Sequence, residues 1–262
     1  MRSTLALPLR AAAIALALLA APAWAAEDEV AAVEREIALS PKRCRVPAAL
    51  IGDPSLLRRT AGRLRAERTL RIVVLGTATA AGAGASSPAR AWPARLEEEL
   101  KARYPQATLQ VTVMAKAADT AQKMLARMND VIAVRPHLVI WETGTPEAVR
   151  GLNVEEFVAA MRDGIDRLAE TRTDILLVEP QYARKTAMMI NFTPYLEAIA
   201  QAAAMRDLIV FPRYAVMRWW SENEQIVVDG LPLNMMAETA DKVYDCVARL
   251  IAIQIQHGLR TP

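Results

Sequence analysis

The chain has 262 residues, of which 53% are hydrophobic and 23% are charged. This length and composition suit one large globular domain and exclude a disordered chain. Outside the first 25 residues, which contain Arg2 and Arg10 and no acid, 30 basic residues face 29 acidic ones, a net charge of +1. Because these charges nearly cancel and are interleaved, we expect no nucleic-acid partner.

Residues 1–25 predict a signal peptide. Arg2 and Arg10 supply positive charge, Ala11–Ala21 is an apolar run, and Ala23-Trp24-Ala25 is a small-x-small cleavage site. The run is too short for a comfortable membrane span, and no cysteine stands at the cleavage point to carry a lipid. We therefore expect a periplasmic or secreted protein without stable membrane insertion after cleavage. An uncleaved anchor is the alternative.

The chain contains two cysteines, Cys44 and Cys246. In an oxidising compartment such a pair predicts one disulfide, which would tie the N-terminal extension to the last helix. The alternative is two buried thiols. Neither cysteine has a histidine neighbour, which argues against a catalytic thiol.

Residues 26–69 predict a helical N-terminal extension that packs on the main domain. A helix is expected over Glu27–Leu39, with breaks at Pro41 and Pro47. A second helix with a basic face is expected over Pro54–Arg68.

From residue 70 to residue 262 the pattern alternates short apolar strands with amphipathic helices. Such a pattern predicts a parallel sheet that is covered on both faces, a three-layer α/β/α sandwich with flavodoxin-like order. The predicted strands are Leu70–Leu75, Thr108–Met114, His137–Trp141, Ile175–Val178 and Leu208–Phe211, and the predicted helices are Pro93–Tyr104, Ala118–Val134, Val154–Glu170, Pro194–Met205 and Ala237–Gln256.

The loops that follow these strands should meet at one edge of the sheet, where open α/β sheets bind ligands. The first and third of these loops contain Gly76-Thr77-Ala78-Thr79 and Trp141-Glu142-Thr143-Gly144-Thr145-Pro146-Glu147, and a further segment before the last helix is Asp229-Gly230-Leu231-Pro232-Leu233-Asn234. In order and spacing they resemble the motifs of the SGNH (GDSL-type) hydrolases, over about 70–253. The resemblance implies a five-stranded parallel sheet and an ester-hydrolase site at its carboxyl edge.

The residues that carry chemistry in that family are replaced in this sequence. Ala78 stands at the position of the nucleophilic serine, and Ala117 is the best match for an oxyanion-binding glycine. Pro146 replaces the asparagine that donates to the oxyanion, and Pro232 replaces the histidine base. Alanine cannot attack a carbonyl, and a hydroxyl requires an adjacent base to do so at neutral pH. The resemblance therefore implies the fold with degenerate catalytic motifs.

Other polar residues and glycines remain at or beside the motif positions. A Glu142 or Glu147 base acting on Thr79 would restore a nucleophile, whereas His137 and His257 are expected to lie away from the site. No phosphate-binding loop, complete dinucleotide motif or metal-ligand spacing is found, so no cofactor or metal is predicted. The candidate binding residues are Thr77, Thr79, Gly144, Thr145, Glu147 and Asp229.

Aromatic and basic residues follow the fourth and fifth strands. Arg213, Tyr214, Arg218, Trp219 and Trp220 come after the fifth strand. At the rim of a site such residues suit a sugar or an anionic polymer. The alternative is a helix that packs a tryptophan into the core. On the loop after the fourth strand, Gln181 and Tyr182 are also expected near the rim.

These observations predict an exported protein of the SGNH fold that binds or assembles at the cell envelope, with acylated polysaccharide or another acyl ester as a candidate ligand. The alternative is an active ester hydrolase that uses a rearranged nucleophile, Thr77 or Thr79. A third interpretation is a scaffold that engages a protein partner through residues 26–69.

Overall fold

The computed structural model describes residues 23–52 and 57–260. Residues 1–22 of the predicted signal peptide lie outside this range, as do residues 53–56 at the start of the predicted second helix of the extension. The described chain forms an α/β sandwich around one sheet.

Five parallel strands form that sheet, in the order β2-β1-β3-β4-β5. The order confirms the predicted flavodoxin-like architecture. The three central strands are almost continuously apolar and buried, because helices cover both of their faces. The strands are β1 (Thr69–Gly76), β2 (Thr108–Ala115), β3 (Leu138–Glu142), β4 (Asp174–Val178) and β5 (Ile209–Phe211).

The helices lie in two layers, and each layer packs its apolar side chains on one face of the sheet. Two 3₁₀ turns, Lys42–Cys44 and Pro88–Arg90, accompany them. The described helices are α1 (Ala23–Ala38), α2 (Ala48–Ile51), α3 (Arg58–Glu67), α4 (Trp92–Arg103), α5 (Ala121–Ala126), α6 (Met128–Ala133), α7 (Thr145–Arg150), α8 (Val154–Glu170), α9 (Arg184–Met189), α10 (Thr193–Arg206), α11 (Arg213–Glu222) and α12 (Leu233–Gly258).

One predicted helix, Ala118–Val134, is wrong as a single element. The chain forms α5 and α6 there, and the backbone leaves helical geometry at Arg127, whose ψ is 8°. The guanidinium of Arg127 reaches back to the carboxylate of Asp119, so the side chain bridges the start of α5 and its end. Helix α5 begins at Ala121 because the hydroxyl of Thr120 accepts a hydrogen bond from the first turn.

The last helix is longer than predicted. It begins at Leu233, directly after Pro232, rather than at Ala237. Its second half is buried on nearly every side, and the buried amide of Gln254 donates to the carbonyls of Ile51 and Val210. Among the described residues, no helix is both long and apolar enough to cross a bilayer.

The N-terminal extension shares the core of the domain. Val33 and Ile37 of α1, Ile51 of α2 and Ala61 of α3 are all buried in the cluster that also contains α12. The extension therefore packs into the same hydrophobic core as the sandwich.

The predicted disulfide between Cys44 and Cys246 is confirmed. Their Cα atoms lie 4.9 Å apart although 202 positions separate them in the sequence. The bond joins the extension to the middle of α12 and replaces the alternative of two buried thiols. Closing so long a loop stabilises the fold by about 4–5 kcal/mol if the effect is purely one of chain entropy.

Reduction of this disulfide is expected to lower the melting temperature strongly. Calorimetry of the protein with and without dithiothreitol, and of the double variant Cys44→Ser/Cys246→Ser, measures the effect. The reduced wild type and the double variant should melt at about the same temperature, both well below the oxidised protein. An unchanged melting temperature after verified reduction would contradict the assigned role.

Candidate functional site

Strand β1 ends at Gly76, and this glycine allows the following loop to lie against the end of β3. A Cβ atom at position 76 would stand 2.7 Å from the Cβ of Ala80 and 3.1 Å from the Cβ of Glu142. No other residue fits without displacing its neighbours. The close approach brings Thr77, Ala78 and Thr79 over the carboxylate of Glu142.

Glu142 is the last residue of β3, and its side chain is fully buried. Its Oε1 accepts hydrogen bonds from the backbone N–H of Thr77, at 3.3 Å, and from the hydroxyl of Thr77. Its Oε2 accepts from the hydroxyl of Thr79 at 2.7 Å. One carboxylate thus holds both threonines that flank Ala78.

Arg213, at the start of α11, completes this group. Its Nη1 donates to Oε2 of Glu142 and to the hydroxyl oxygen of Thr79, both at 3.0 Å. Its Nε donates to the carbonyl of Glu179 at 2.9 Å. Only 2% of the Arg213 side chain is exposed, so the prediction of a rim position for this arginine is wrong. Its charge is used inside the protein to neutralise Glu142.

Burial alone would raise the pKa of Glu142, because a buried carboxylate loses its hydration. The adjacent Arg213 charge and the hydrogen bonds from Thr77 and Thr79 outweigh burial, and the pKa falls below its usual value. Glu142 therefore stays ionised near neutral pH and is a weak acceptor for a further proton.

Ala78 and Thr79 line a pocket of about 490 Å³ between the loop after β1 and helix α12. The hydroxyl of Tyr244 donates to the carbonyl of Ala83 and ties that loop to α12, and burial raises the pKa of Tyr244 to about 12. Gln181, predicted to lie near the rim, is one of the polar residues in this pocket. Apolar walls come from Ala83, Met217, Val228, Leu231, Met236 and Val243.

A second carboxyl group, that of Glu179, lies beside Arg213 at the end of β4. Burial raises its pKa to about 7, although a hydrogen bond from the backbone of Tyr214 and the Arg213 charge both lower it. Glu179 is not among the residues that line the pocket. The effect of burial thus exceeds that of the neighbouring Arg213 charge at this carboxyl group.

Of the six predicted binding residues, Thr79 lines the pocket and the other five do not. Besides Thr77, whose hydroxyl donates to Glu142, and Asp229, three of them lie at the start of α7. Gly144, with φ of +90°, precedes α7, and Thr145 and Glu147 belong to its first turn. The buried carboxylate of Glu147 accepts a hydrogen bond from the backbone of Ala121, and burial raises its pKa. None of the three lines the pocket. Glu147 is therefore not placed to act on Thr79.

The remaining motif positions carry no acid–base chemistry. Ala117 is exposed after β2, Pro146 is buried in α7, and Pro232 is exposed before α12. Asp229 accepts hydrogen bonds from the backbone N–H groups of Arg184, at 2.7 Å, and of Lys185, at 3.2 Å. Its carboxylate thus caps α9.

Neither histidine reaches the pocket. His137 lies before β3, at the opposite edge of the sheet. His257 belongs to the last turn of α12 and is half-buried, so its predicted position beyond that helix is wrong.

The aromatic segment mainly serves packing. Trp220 is 1% exposed and lies in the core, and Trp219 packs against it from a half-buried position. Tyr214 contacts the rings of Tyr182 and Phe192. Arg218 pairs with Glu222 on the surface.

Arg213 was not predicted as the partner of Glu142. A glutamate that ends an otherwise apolar buried strand did indicate that some cation must neutralise it. Nothing in the local pattern identified which cation, because 71 positions separate the two residues.

Comparison with solved structures supports the fold. A catalytic mutant of Axe2, an acetylxylan esterase from Geobacillus stearothermophilus, is 17% identical, with a TM-score of 0.60 over 70% of this chain and 93% of that one. A lipase/acylhydrolase from Enterococcus faecalis is 19% identical, with a TM-score of 0.58 over 71% and 95%. TesA is 18% identical, with a TM-score of 0.54 over 70% and 97%.

At these identities the likeness concerns the fold alone. The search of curated proteins found no match. The model of the Non-GDSL lipase-like family, however, matches residues 43–261, which is most of the chain. With its five-stranded parallel sheet and its SGNH-type neighbours, this chain belongs to the Non-GDSL lipase-like family.

Proposed function

We propose that this protein binds an acyl ester, carried on a carbohydrate, in the pocket beside Ala78 and does not hydrolyse it. The observation that carries the proposal is the state of the Thr79 hydroxyl. It is the hydroxyl next to Ala78 in the pocket, and it is already held by Glu142 and Arg213. In this proposal the pocket holds the ester, and the hydroxyl next to Ala78 is not free to attack it.

The loss of chemistry is large in energetic terms. Removal of one oxyanion donor typically costs about 100-fold or more in rate. Removal of the nucleophile together with the base leaves about 10³–10⁴-fold over water in a studied triad. Here Ala78 and Pro232 replace both groups that the family resemblance assigns to nucleophile and base.

The pocket itself suits an acyl group. Its volume lies within the usual range for small-molecule sites, and its walls are mostly apolar with a few polar groups. Large apolar side chains are also exposed on α9 and at the start of α12. The hydrogen bond from Arg184 to Asp229 connects α9 to the segment that precedes α12. The exposed side chains are Met188, Met189, Leu233 and Met236, between 53% and 88% exposed. Of these, Met236 lines the pocket, and exposed apolar side chains of this kind favour a ligand with a hydrocarbon part.

A carbohydrate carrier and an extracytoplasmic location are part of the same proposal. Among the structural neighbours is a protein described as an acetylxylan esterase, whose substrate is an acylated sugar. The disulfide between Cys44 and Cys246 fits an oxidising compartment. The signal-peptide pattern over 1–25 fits export to the periplasm or the exterior.

A second candidate function, ester hydrolysis with Thr79 as nucleophile, is favoured by one distance. The Thr79 hydroxyl lies 2.7 Å from Oε2 of Glu142, so the carboxylate could take its proton as the oxygen attacks the ester carbonyl. The lowered pKa of Glu142 opposes this step, because the ion pair with Arg213 stabilises the unprotonated form. We therefore rank binding first.

Titration calorimetry with 6-O-octanoyl-glucose tests the binding proposal. The wild type should bind it saturably, and chromatography should show no release of octanoate above the rate in buffer. Ala83→Trp, which places a large side chain at the wall of the pocket, should weaken binding by about tenfold or more. Ala126→Trp, at an exposed alanine of α5 outside the pocket, should bind like the wild type.

Two results would count against this function. Release of octanoate that disappears in Thr79→Val would establish the hydrolase. Absence of binding by a folded wild type would remove the acyl-ester ligand altogether.

A substitution that removes the charge of Glu142 should destabilise the protein. In Glu142→Gln, Arg213 loses its counter-charge in a buried site, which typically costs about 3–5 kcal/mol. Because the pKa of Glu142 is lowered in the folded state, its stabilisation is fully present above the unfolded value of about 4.5 and is lost as the pH falls below that value through the lower folded pKa. The penalty in urea unfolding should thus be greatest near pH 7 and clearly smaller at about pH 3.

Glu155→Gln provides the control, because Glu155 is exposed at the start of α8. Its unfolding free energy should stay within about 0.5 kcal/mol of the wild type at both pH values. An equally small effect of Glu142→Gln at pH 7 would show that the ion pair does not hold the loop.

A further inference from the structure

A cleft of about 730 Å³ lies at the edge of the sheet opposite the pocket beside Ala78. Four arginines from four different segments line it: Arg63 of α3, Arg71 of β1, Arg135 before β3 and Arg172 before β4. No acidic residue lines this cleft. Arg63 and Arg71 are eight positions apart, whereas Arg135 and Arg172 are distant from them and from each other in the sequence, so the fold brings three separate stretches of chain to this cleft.

One neighbouring carboxylate offsets part of this charge. Glu67 accepts a hydrogen bond from Arg63 at 2.8 Å and lies 3.6 Å from a guanidinium nitrogen of Arg71. The side chains of Arg135 and Arg172 make no hydrogen bond or ion pair within the part of the chain that the structure describes. Two of the four guanidinium groups therefore remain available to an anion.

His137 adds a buried donor to the same cleft. The residue is 4% exposed, and its Nδ1 accepts from the backbone N–H of Arg71 at 3.5 Å. Burial and the Arg71 charge lower the pKa of His137, so the neutral ring carries its proton on Nε2. Among the described residues that buried Nε2 makes no hydrogen bond of good geometry, although the backbone of Thr69 raises the pKa of the ring and a carboxylate oxygen of Glu67 lies 3.5 Å from Nε2.

We propose that this cleft binds a phosphate group carried on a small organic body. Guanidinium groups bind phosphate oxygens in pairs, and a dianionic phosphate matches an excess of positive charge better than one carboxylate does. The unused guanidinium groups of Arg135 and Arg172 would hold the phosphate. The volume exceeds what a phosphate ion alone requires and lies in the range of small-molecule sites.

Such a ligand could be a soluble phosphomonoester or the headgroup of a phospholipid, since both present the same chemistry. The proposal concerns the opposite edge of the sheet from Ala78 and does not depend on the proposed function. Phosphate binding in the cleft should therefore be unchanged in Ala83→Trp, the variant that obstructs the pocket beside Ala78.

Calorimetry at low ionic strength with sn-glycerol 3-phosphate and with inorganic phosphate tests the cleft. Sedimentation with phosphatidic acid vesicles, against phosphatidylcholine vesicles, tests the lipid source. The wild type should bind at least one phosphomonoester saturably. Arg135→Gln/Arg172→Gln should weaken that binding by about tenfold or more, because it removes two charge-assisted contacts and keeps both side-chain stems.

Arg90→Gln/Arg162→Gln is the matched control, since it removes the same charge from two exposed arginines outside the cleft. It should bind like the wild type. Tight binding of glycerol 3-phosphate would identify a soluble ligand, and binding of phosphatidic acid vesicles alone would identify the headgroup. Equal loss in both double variants, or no binding to any phosphate probe, would overturn the proposal.

Discussion

The carboxyl edge of this sheet depends on the buried ion pair between Glu142 and Arg213. Neither charge could remain in the interior alone, because an unpaired buried ion costs several kcal/mol or titrates instead. Each group therefore holds the other in position. Because Glu142 ends β3 and Arg213 begins α11, the ion pair also holds these two elements together. The hydroxyls of Thr77 and Thr79 satisfy the remaining acceptor sites, so the loop after β1 is bound to the same centre.

This arrangement separates the shape of the site from its chemistry. The ion pair and its hydrogen bonds hold the loop after β1 at the end of the first strand. A nucleophile additionally requires a base that gains a proton readily. A carboxylate that Arg213 holds ionised does not meet that requirement. The loop forms one wall of an apolar pocket around Ala78, and in the proposed function it does so without attacking the ligand.

The parallel sheet was predictable because its central strands are almost continuously apolar and alternate in the sequence with amphipathic helices. Val154–Glu170 was predicted to the residue, and the disulfide between Cys44 and Cys246 followed from cysteine count and compartment. The short helices at the strand ends were not predictable, since their boundaries depend on tertiary capping such as that by Asp229. The burial of Arg213 was not predictable either, because it depends on contacts with Glu142 and Glu179, which are distant in the sequence.

Covalent labelling tests most directly whether the site has lost its nucleophile. The wild type would be incubated with a fluorophosphonate, which phosphonylates activated hydroxyl groups, and its intact mass would then be measured. The account predicts no adduct, because Ala78 has no hydroxyl and Thr79 is bound between Glu142 and Arg213. A stoichiometric adduct that peptide mapping places on Thr79 would contradict it.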